Sequence, residues 1–201
     1  MLAAQQLICV RGERTLFSGL DFDLHPGELL HVRGANGAGK TSLLRLIVGL
    51  SAPAGGTIFW NGLPVKQQRE LYAREMLYLG HQAALKSELT AMENLTFSAA
   101  IDGVDFSPPI ALQALGRLGL RGREHFPVDW FSAGQRRRAL LARLALRKAT
   151  LWVLDEPFNA LDVNASALLL DMLSEHLRHA GMVVMTSHQE FNISNMKVLS
   201  L

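Results

Sequence analysis

The stretch Gly34-Ala35-Asn36-Gly37-Ala38-Gly39-Lys40-Thr41 constrains the fold of this chain more than any other feature. An apolar run, Glu28–Arg33, reads as a strand leading into it. A helix follows from Lys40 to about Leu50, with Leu43, Leu44, Ile47 and Leu50 on one face at helical spacing. The octet fits G-x-x-x-x-G-K-[ST] without adjustment. Its glycines let successive backbone N–H groups turn inward at dihedral angles a side chain would forbid. The positive end of the following helix is aimed at the same point. Such a loop encloses phosphates: Lys40 reaches the β- and γ-phosphates and the Thr41 hydroxyl is placed to ligate Mg²⁺. A glycine-rich turn before an amphipathic helix is the plain alternative, and the strand–loop–helix context weighs against it.

A phosphate loop of this kind needs a carboxylate for the metal on a neighbouring strand. Leu151-Trp152-Val153-Leu154-Asp155-Glu156 supplies one, with Asp155 expected to hold Mg²⁺ through water. Glu156 stands at the strand's end, where it is placed to polarise an attacking water as general base. Two adjacent acids after a strand would by themselves read as a helix N-terminus or a solvated loop. Their pairing with the loop carries the functional reading.

Around these motifs the chain alternates in the manner of an α/β protein. The first 30 residues read as two or three short strands, and Thr57–Asn61 as another. Residues 85–130 carry helical patches broken by Gly103, Pro108-Pro109, Gly116, Gly119, Gly122 and Pro127, which points to an inserted helical lobe. Thr150–Leu154 and Met182–Thr186 read as buried parallel strands. The helix between them, Val163 to His179, is expected to face inward through Val163, Ala167, Leu170, Leu173 and Leu177. Site residues then belong at the carboxyl ends of the parallel strands.

Composition narrows the class further. With 201 residues the chain has the size of one domain, and 49% hydrophobic against 19% charged residues excludes a disordered polyelectrolyte. A net charge of +2 implies no nucleic-acid partner. The single cysteine, Cys9, forms no internal disulfide, and no Cys/His cluster has zinc spacing. The longest apolar runs fall far short of the roughly 18 residues of a membrane helix, and the N-terminus lacks the features of a signal peptide. An intracellular protein is expected. The mean hydropathy of +0.15 leaves room for an apolar face offered to a partner.

Further residues acquire meaning only together. Phe131-Ser132-Ala133-Gly134-Gln135 opens a helical segment, Gln135–Lys148, which alone would be an ordinary helix capped by Ser132 with Arg136–Arg138 as its solvated face. Gln82 and His188 alone would carry nothing. In order along the chain, Gly34–Thr41, Gln82, Ser132–Gln135, Leu151–Glu156, Ala160-Leu161-Asp162 and His188 resemble the landmarks of the ATP-binding cassette of ABC transporters. The resemblance covers nearly the whole chain. It implies one ABC ATPase domain over 1–201, of the P-loop NTPase α/β class: a mixed sheet flanked by helices, an N-terminal antiparallel β part, and an inserted helical subdomain at approximately 85–148.

By the same resemblance ATP and Mg²⁺ are the cofactors. Nucleotide contacts fall to Gly34, Ala35, Asn36, Gly37, Ala38, Gly39, Lys40, Thr41, Ser42, Ser132, Ala133, Gly134, Gln135 and Asp162. Thr41, Gln82 and Asp155 fall on the metal, and Glu156, His188 and Gln82 on catalysis. Two positions depart from the family pattern. Ala133 replaces the usual second glycine of the signature, and Arg11 stands where an aromatic residue usually stacks on adenine, a contact a guanidinium also makes. The family's logic is a head-to-tail homodimer in the ATP-bound state, with the signature of one chain completing the phosphate cage of the other.

The stretches R-G-E-R-T-L-F-S-G-L, F-S-A-G-Q-R-R-R and L-W-V-L-D-E-P-F-N-A-L-D are most similar to the ATP-binding subunits of the cytochrome c maturation system, the haem exporter. That resemblance implies an ATPase coupled to haem export or haem-chaperone release. It would sit peripherally on the cytoplasmic face of the bacterial inner membrane, held there only through polytopic membrane subunits. Residues Leu85, Leu89, Met92 and Leu95 are expected to offer those subunits a groove, unless they form the helical lobe's own core. Two other classes compete: a subunit exporting another small molecule, and a soluble ABC ATPase of the iron–sulfur assembly type. Repair-type cassettes are excluded, because only about 90 residues without heptads separate Thr41 from Ser132.

Overall fold

The computed structural model describes residues 1–80 and 85–201 of the chain. These form two compact units, one of Met1–Tyr78, Ala149–Glu156 and Leu173–Leu201, the other of Leu79–Lys148 and Pro157–Met172.

The first unit is built on two sheets. Strands β1 (Leu2–Arg11), β2 (Arg14–Leu24), β4 (Gly55–Trp60) and β5 (Leu63–Pro64) form an antiparallel sheet in the order β2-β1-β4-β5. In β1 the inward side chains are Leu2 and Ala4, then Leu7 and Cys9. The alternation shifts by one residue because Gln6 takes a left-handed conformation, φ 50°. A bulge there is held by Asp21, which accepts from the Gln6 backbone N–H at 2.7 Å and from its side-chain amide at 2.6 Å.

The second sheet runs β6-β7-β8-β3-β9, from β3 (Leu29–Arg33), β6 (Met76–Leu79), β7 (Leu151–Leu154), β8 (Met182–Thr186) and β9 (Met196–Ser200). Strand β3 pairs in parallel with β8 and β9, and β8 with β7. All residues of β7 and β8 are buried, which accounts for their unbroken apolar runs. Helix α1 (Lys40–Ile47) packs Leu43, Leu44 and Ile47 into a core shared with Leu2, Leu24, Trp60, Val153 and Val184. It stops short of Leu50 because the Gly49 N–H reaches Leu46 O and the Leu50 N–H reaches Arg45 O, closing its last turn. Helix α2 (Arg69–Glu75), β6 and β9 were not anticipated from the sequence.

The second unit is helical. It holds α3 (Ala91–Asp102), α4 (Pro108–Arg117), α5 (Ala133–Leu141), α6 (Arg143–Leu146) and the start of α7 (Val163–Arg178), whose last turns belong to the first unit. A capping box of Thr90 and Glu93 starts α3, and Pro108 occupies the first turn of α4. The expected continuous helix to Lys148 breaks at Ala142. There Arg143 and Arg147 both turn onto Asp102 of α3, at 3.2 and 2.8 Å. The inward stripe of α7 also differs from expectation. Ala165, Leu169, Leu173 and Leu177 are buried, whereas Val163 is 85% exposed and Ala167 lies on the surface. Val163 is the first residue of the helix, next to its cap, where no neighbouring turn covers it.

Near the end of α7, the His176 ring stacks on buried Trp152 with centroids 3.9 Å apart and planes within 5°. Burial pushes the His176 pKa from 6.5 down to about 4. The folded state therefore holds the ring neutral in a range where the unfolded chain protonates it. Stability is complete above the ordinary histidine value and is lost as pH falls from about 6.5 towards 4. Allowing for the ring's partial exposure, denaturant titration should show a loss of about 1–2 kcal/mol across that window. His176→Phe should flatten it, and an equally steep acid slope in that variant would place its origin elsewhere.

Candidate functional site

The candidate site is assembled at the carboxyl end of β7. Asp155 follows the strand directly and is 1% exposed. One carboxylate oxygen accepts from the Thr41 hydroxyl at 3.0 Å, and the other from the Thr186 hydroxyl at 2.8 Å. The parallel register of β7 and β8 matches Leu154 with Met185, so Asp155 and Thr186 emerge side by side. Thr186 also accepts the Glu156 backbone N–H at 2.9 Å. Glu156 itself stands in the left-handed region, φ 49°, a conformation that bends the chain sharply out of the strand. Its Oε2 accepts the His188 backbone N–H at 3.3 Å, and the His188 ring Nε2 lies 3.5 Å from its Oε1.

Opposite these groups is the glycine-rich loop from Gly34 to Ser42. The buried Lys40 ammonium donates to the carbonyls of Gly34 at 2.8 Å and Ala35 at 3.2 Å, folding back over the loop it anchors. Gly39, φ 108°, caps the start of α1, and a Cβ there would stand 3.2 Å from Cβ of Leu16. Asn36 and Gly37 are exposed at the crest of the loop, and Ala35 N-terminal to them closes a turn with Ala38. Burial and the charge of Asp155 together push the nearby Tyr78 phenol up. The neighbouring hydroxyl of Thr41 and carboxylate of Asp155 are hard oxygen donors, the kind Mg²⁺ takes from protein. The fit is therefore good.

The second unit organises the F-S-A-G-Q stretch as a helix start. Ser132 caps α5, accepting the Gln135 N–H at 3.2 Å, while Gln135 Oε1 accepts the Ser132 N–H at 2.9 Å. Ala133 is the first helical residue. A Cβ on Gly134 would fall 2.7 Å from the carbonyl oxygen of Ala160, itself left-handed at φ 62°, so only glycine fits. Asp162 caps α7, accepting the Ala165 N–H at 2.8 Å. The arginines of α5 are not simply a solvated face. Arg137 is buried and donates to the carbonyls of Pro157 at 3.2 Å and Gly80 at 3.3 Å.

The first unit thus brings together Gly34–Ser42, Asp155, Glu156 and His188. Arg11 ends β1, opposite Arg14 across the hairpin, and among the described residues no hydrogen bond or ion pair joins it to the loop. Gln82 lies outside the described residues. Of the expected docking residues, Leu95 is a buried core residue of the helical unit, because it lies on the inner face of α3 with Ala91 and Ala99. Leu85, Leu89 and Met92 are half-buried. Thr186, His31 and Ser187 were missed. Thr186 sits where β8 ends beside β7, and in the sequence its hydroxyl is hidden at the end of an apolar run.

Comparison with known proteins gives a consistent picture. A family model described as ABC transporter matches residues 17–159. The chain is 48% identical over 198 residues to the cytochrome c biogenesis ATP-binding export protein CcmA of Escherichia coli strain K12, covering 98% of this chain and 94% of that one. To the protein of the same description from Nitrosomonas europaea it is 50% identical, covering 98% and 93%. Among solved structures, an ABC transporter ATP-binding protein from Pyrococcus furiosus superposes with a TM-score of 0.86 at 24% identity, covering 100% of this chain and 96% of that one. A dimeric ATP-binding cassette in a post-hydrolysis state with ADP and Pi superposes with a TM-score of 0.82 at 20% identity, covering 94% and 88%. No helix of the described residues is long and apolar enough to cross a membrane.

Thr186→Val keeps the shape of the side chain and deletes the hydroxyl that serves both Asp155 and Glu156. The buried carboxylate then loses a donor, which should lower unfolding stability by about 1–3 kcal/mol. Chemical denaturation of the two proteins measures it, and an unchanged midpoint would remove Thr186 from this role.

Proposed function

The chain belongs to the ABC transporter ATP-binding family, and on that premise we propose that it is the ATP-hydrolysing, CcmA-like subunit of a membrane ABC complex for c-type cytochrome biogenesis. The observation that carries this reading is identity of 48–50% over 98% of the chain to cytochrome c biogenesis export ATPases. The fold is that of an ABC ATPase, and the reading treats 1–201 as one such domain, with a helical subdomain over approximately 85–148.

In this proposal the loop N–H groups of Gly34–Ser42 and the start of α1 bind the phosphates of ATP. Lys40 leaves its carbonyl partners for the β- and γ-phosphates. Thr41, Asp155 and Gln82 would hold Mg²⁺, which when bound offsets phosphate charge. Glu156 takes a proton from water as the water oxygen attacks the γ-phosphorus, and ADP departs with the electrons of the broken bond. His188 and Gln82 orient the γ-phosphate and water. Arg11 stacks on the base. Two chains pair head to tail when ATP is bound, Ser132–Gln135 of each supplying helix-terminal N–H groups to the other's γ-phosphate and Asp162 joining the two sites.

The same reading places the chain peripherally on the cytoplasmic face of the bacterial inner membrane, bound through polytopic subunits of the cytochrome c maturation complex. Leu85, Leu89 and Met92 would contribute to the surface on which a short helix of such a subunit rests. Hydrolysis is then coupled to haem export or to release of a haem-loaded chaperone.

Glu156→Gln should still bind ATP, accumulate as an ATP-bound dimer on size exclusion, and lose about a hundredfold or more in turnover, since an amide accepts no proton. In a bacterium deleted for the gene, the wild type should restore haem-stained c-type cytochromes and Glu156→Gln should not. Normal c-type cytochromes in the deletion strain would end the biogenesis reading. Normal turnover in the variant would end the assignment of Glu156 as base.

A further inference from the structure

His31 is fully buried in β3, three residues ahead of the phosphate loop, and the hydrolytic scheme gives it no part. Both of its ring nitrogens are engaged. Nδ1 lies 3.2 Å from Nε–H of Arg33, and Nε2 lies 3.1 Å from the carbonyl oxygen of Ser187. A guanidinium N–H only donates and a carbonyl only accepts, so Nδ1 is bare and Nε2 carries the proton. The neutral ring satisfies both partners with none left over. Burial pushes its pKa down, in keeping with that neutral form. Phe191 covers the ring, centroids 4.8 Å apart.

The partner of Nε2 is what gives this arrangement a function. The β3–β8 ladder pairs Val32 with Thr186, and β8 ends there. Ser187 is the next residue, beyond the regular strand pairing, and its carbonyl is caught by an imidazole from β3. His188 follows immediately, with its backbone N–H on Glu156 Oε2 and its ring near Oε1. The Ser187 side chain steadies the same turn by accepting the Gln189 N–H at 2.9 Å. A chain of donors therefore runs from Arg33 through His31 and the Ser187–His188 peptide to the Glu156 carboxylate.

We propose that His31 is a positioning residue of the hydrolytic site, whose Nε2–H fixes the Ser187–His188 turn and thereby the orientation of His188 towards Glu156. The inference rests on the ATPase reading of the site. It requires a donor at the Nε2 position and at no other, which two amide substitutions separate. The Gln side-chain nitrogen can occupy the position of Nε2, whereas the shorter Asn places its nitrogen near the position of Nδ1, facing Arg33.

Steady-state ATP hydrolysis by the full chain and by His31→Gln and His31→Asn, with thermal melts of each, decides the matter. His31→Gln should keep kcat within about threefold of wild type, and His31→Asn should lose about tenfold or more in kcat while KM for ATP stays within about twofold. Wild-type kcat in His31→Asn overturns the proposal. So does a His31→Gln as slow as His31→Asn, or a loss confined to KM. If His31→Asn fails to melt cooperatively, His31→Leu takes its place as the donor-free variant under the same criteria; if His31→Gln fails, the wild type serves as the donor-bearing reference and the kcat loss of the donor-free variant decides. A wild-type chain that hydrolyses no ATP would bring down the ATPase reading and this inference with it, whereas full activity in the variants would overturn this inference alone.

Discussion

The structure of the first unit depends on one buried carboxylate. Asp155 lies out of water, and an ionised carboxylate there is tolerable only if its oxygens are met by donors. Donors come from different elements, among them Thr41 in the first turn of α1 and Thr186, the last residue of β8. Satisfying the carboxylate therefore fixes where α1 begins relative to the sheet, and with it the glycine-rich loop that β3 feeds. Core packing alone would bring α1 near the strands. The hydrogen bonds to Asp155 set its register.

The same constraint propagates one residue further. With Asp155 fixed, Glu156 can turn its carboxylate towards His188 only by leaving the strand abruptly, which it does in a left-handed conformation that costs a non-glycine residue about 1 kcal/mol or more. The cost is met by contacts that leave the residue no alternative: its N–H is held by Thr186 and its carboxylate by the N–H of His188. Thr186 thus serves both acids. A carboxylate held in this way needs little reorganisation when a partner arrives, which is the physical content of a preorganised group.

The parts of this arrangement legible in the sequence were those whose chemistry is local. The spacing of Gly34, Gly39, Lys40 and Thr41 and the apolar run before Asp155 each constrain a continuous stretch of backbone, and β8 coincides with the run read as Met182–Thr186. Contacts between distant segments were not legible. Thr186 and His31 look like ordinary members of buried strands, and only the β7–β8–β3 order shows that their polar atoms face Asp155 and Ser187. The same reason explains the stripe of α7. Helical periodicity allowed several faces, and burial selected Ala165 and Leu169 over Val163 and Ala167. The break after Leu141 and the pairing of Arg143 and Arg147 with Asp102, some 40 residues away, were likewise not legible. Residue roles taken from family resemblance went further than spacing could, to Ser132 and Asp162, yet the structure gives both a local task as helix caps.

That local task bears on what the F-S-A-G-Q stretch presents at the start of α5. The Ser132 hydroxyl oxygen accepts the Gln135 N–H, and Gln135 Oε1 accepts the Ser132 N–H, so the capping box uses an acceptor on each side chain and leaves the Ser132 O–H and the Gln135 amide N–H groups as donors. Beside those donors, the start of α5 presents the positive end of its backbone, including the N–H groups of Ala133 and Gly134. The replacement of the usual glycine by Ala133 removes no backbone donor, since every residue but proline carries an N–H. Gly134 is held against the Ala160 carbonyl, and Asp162 two residues on caps α7, so the start of α5 and the turn into α7 form one fixed corner of the helical unit. A helix start of this kind interacts more strongly the more negative the group it faces, so under the proposed hydrolysis its hold weakens once the γ-phosphate has left.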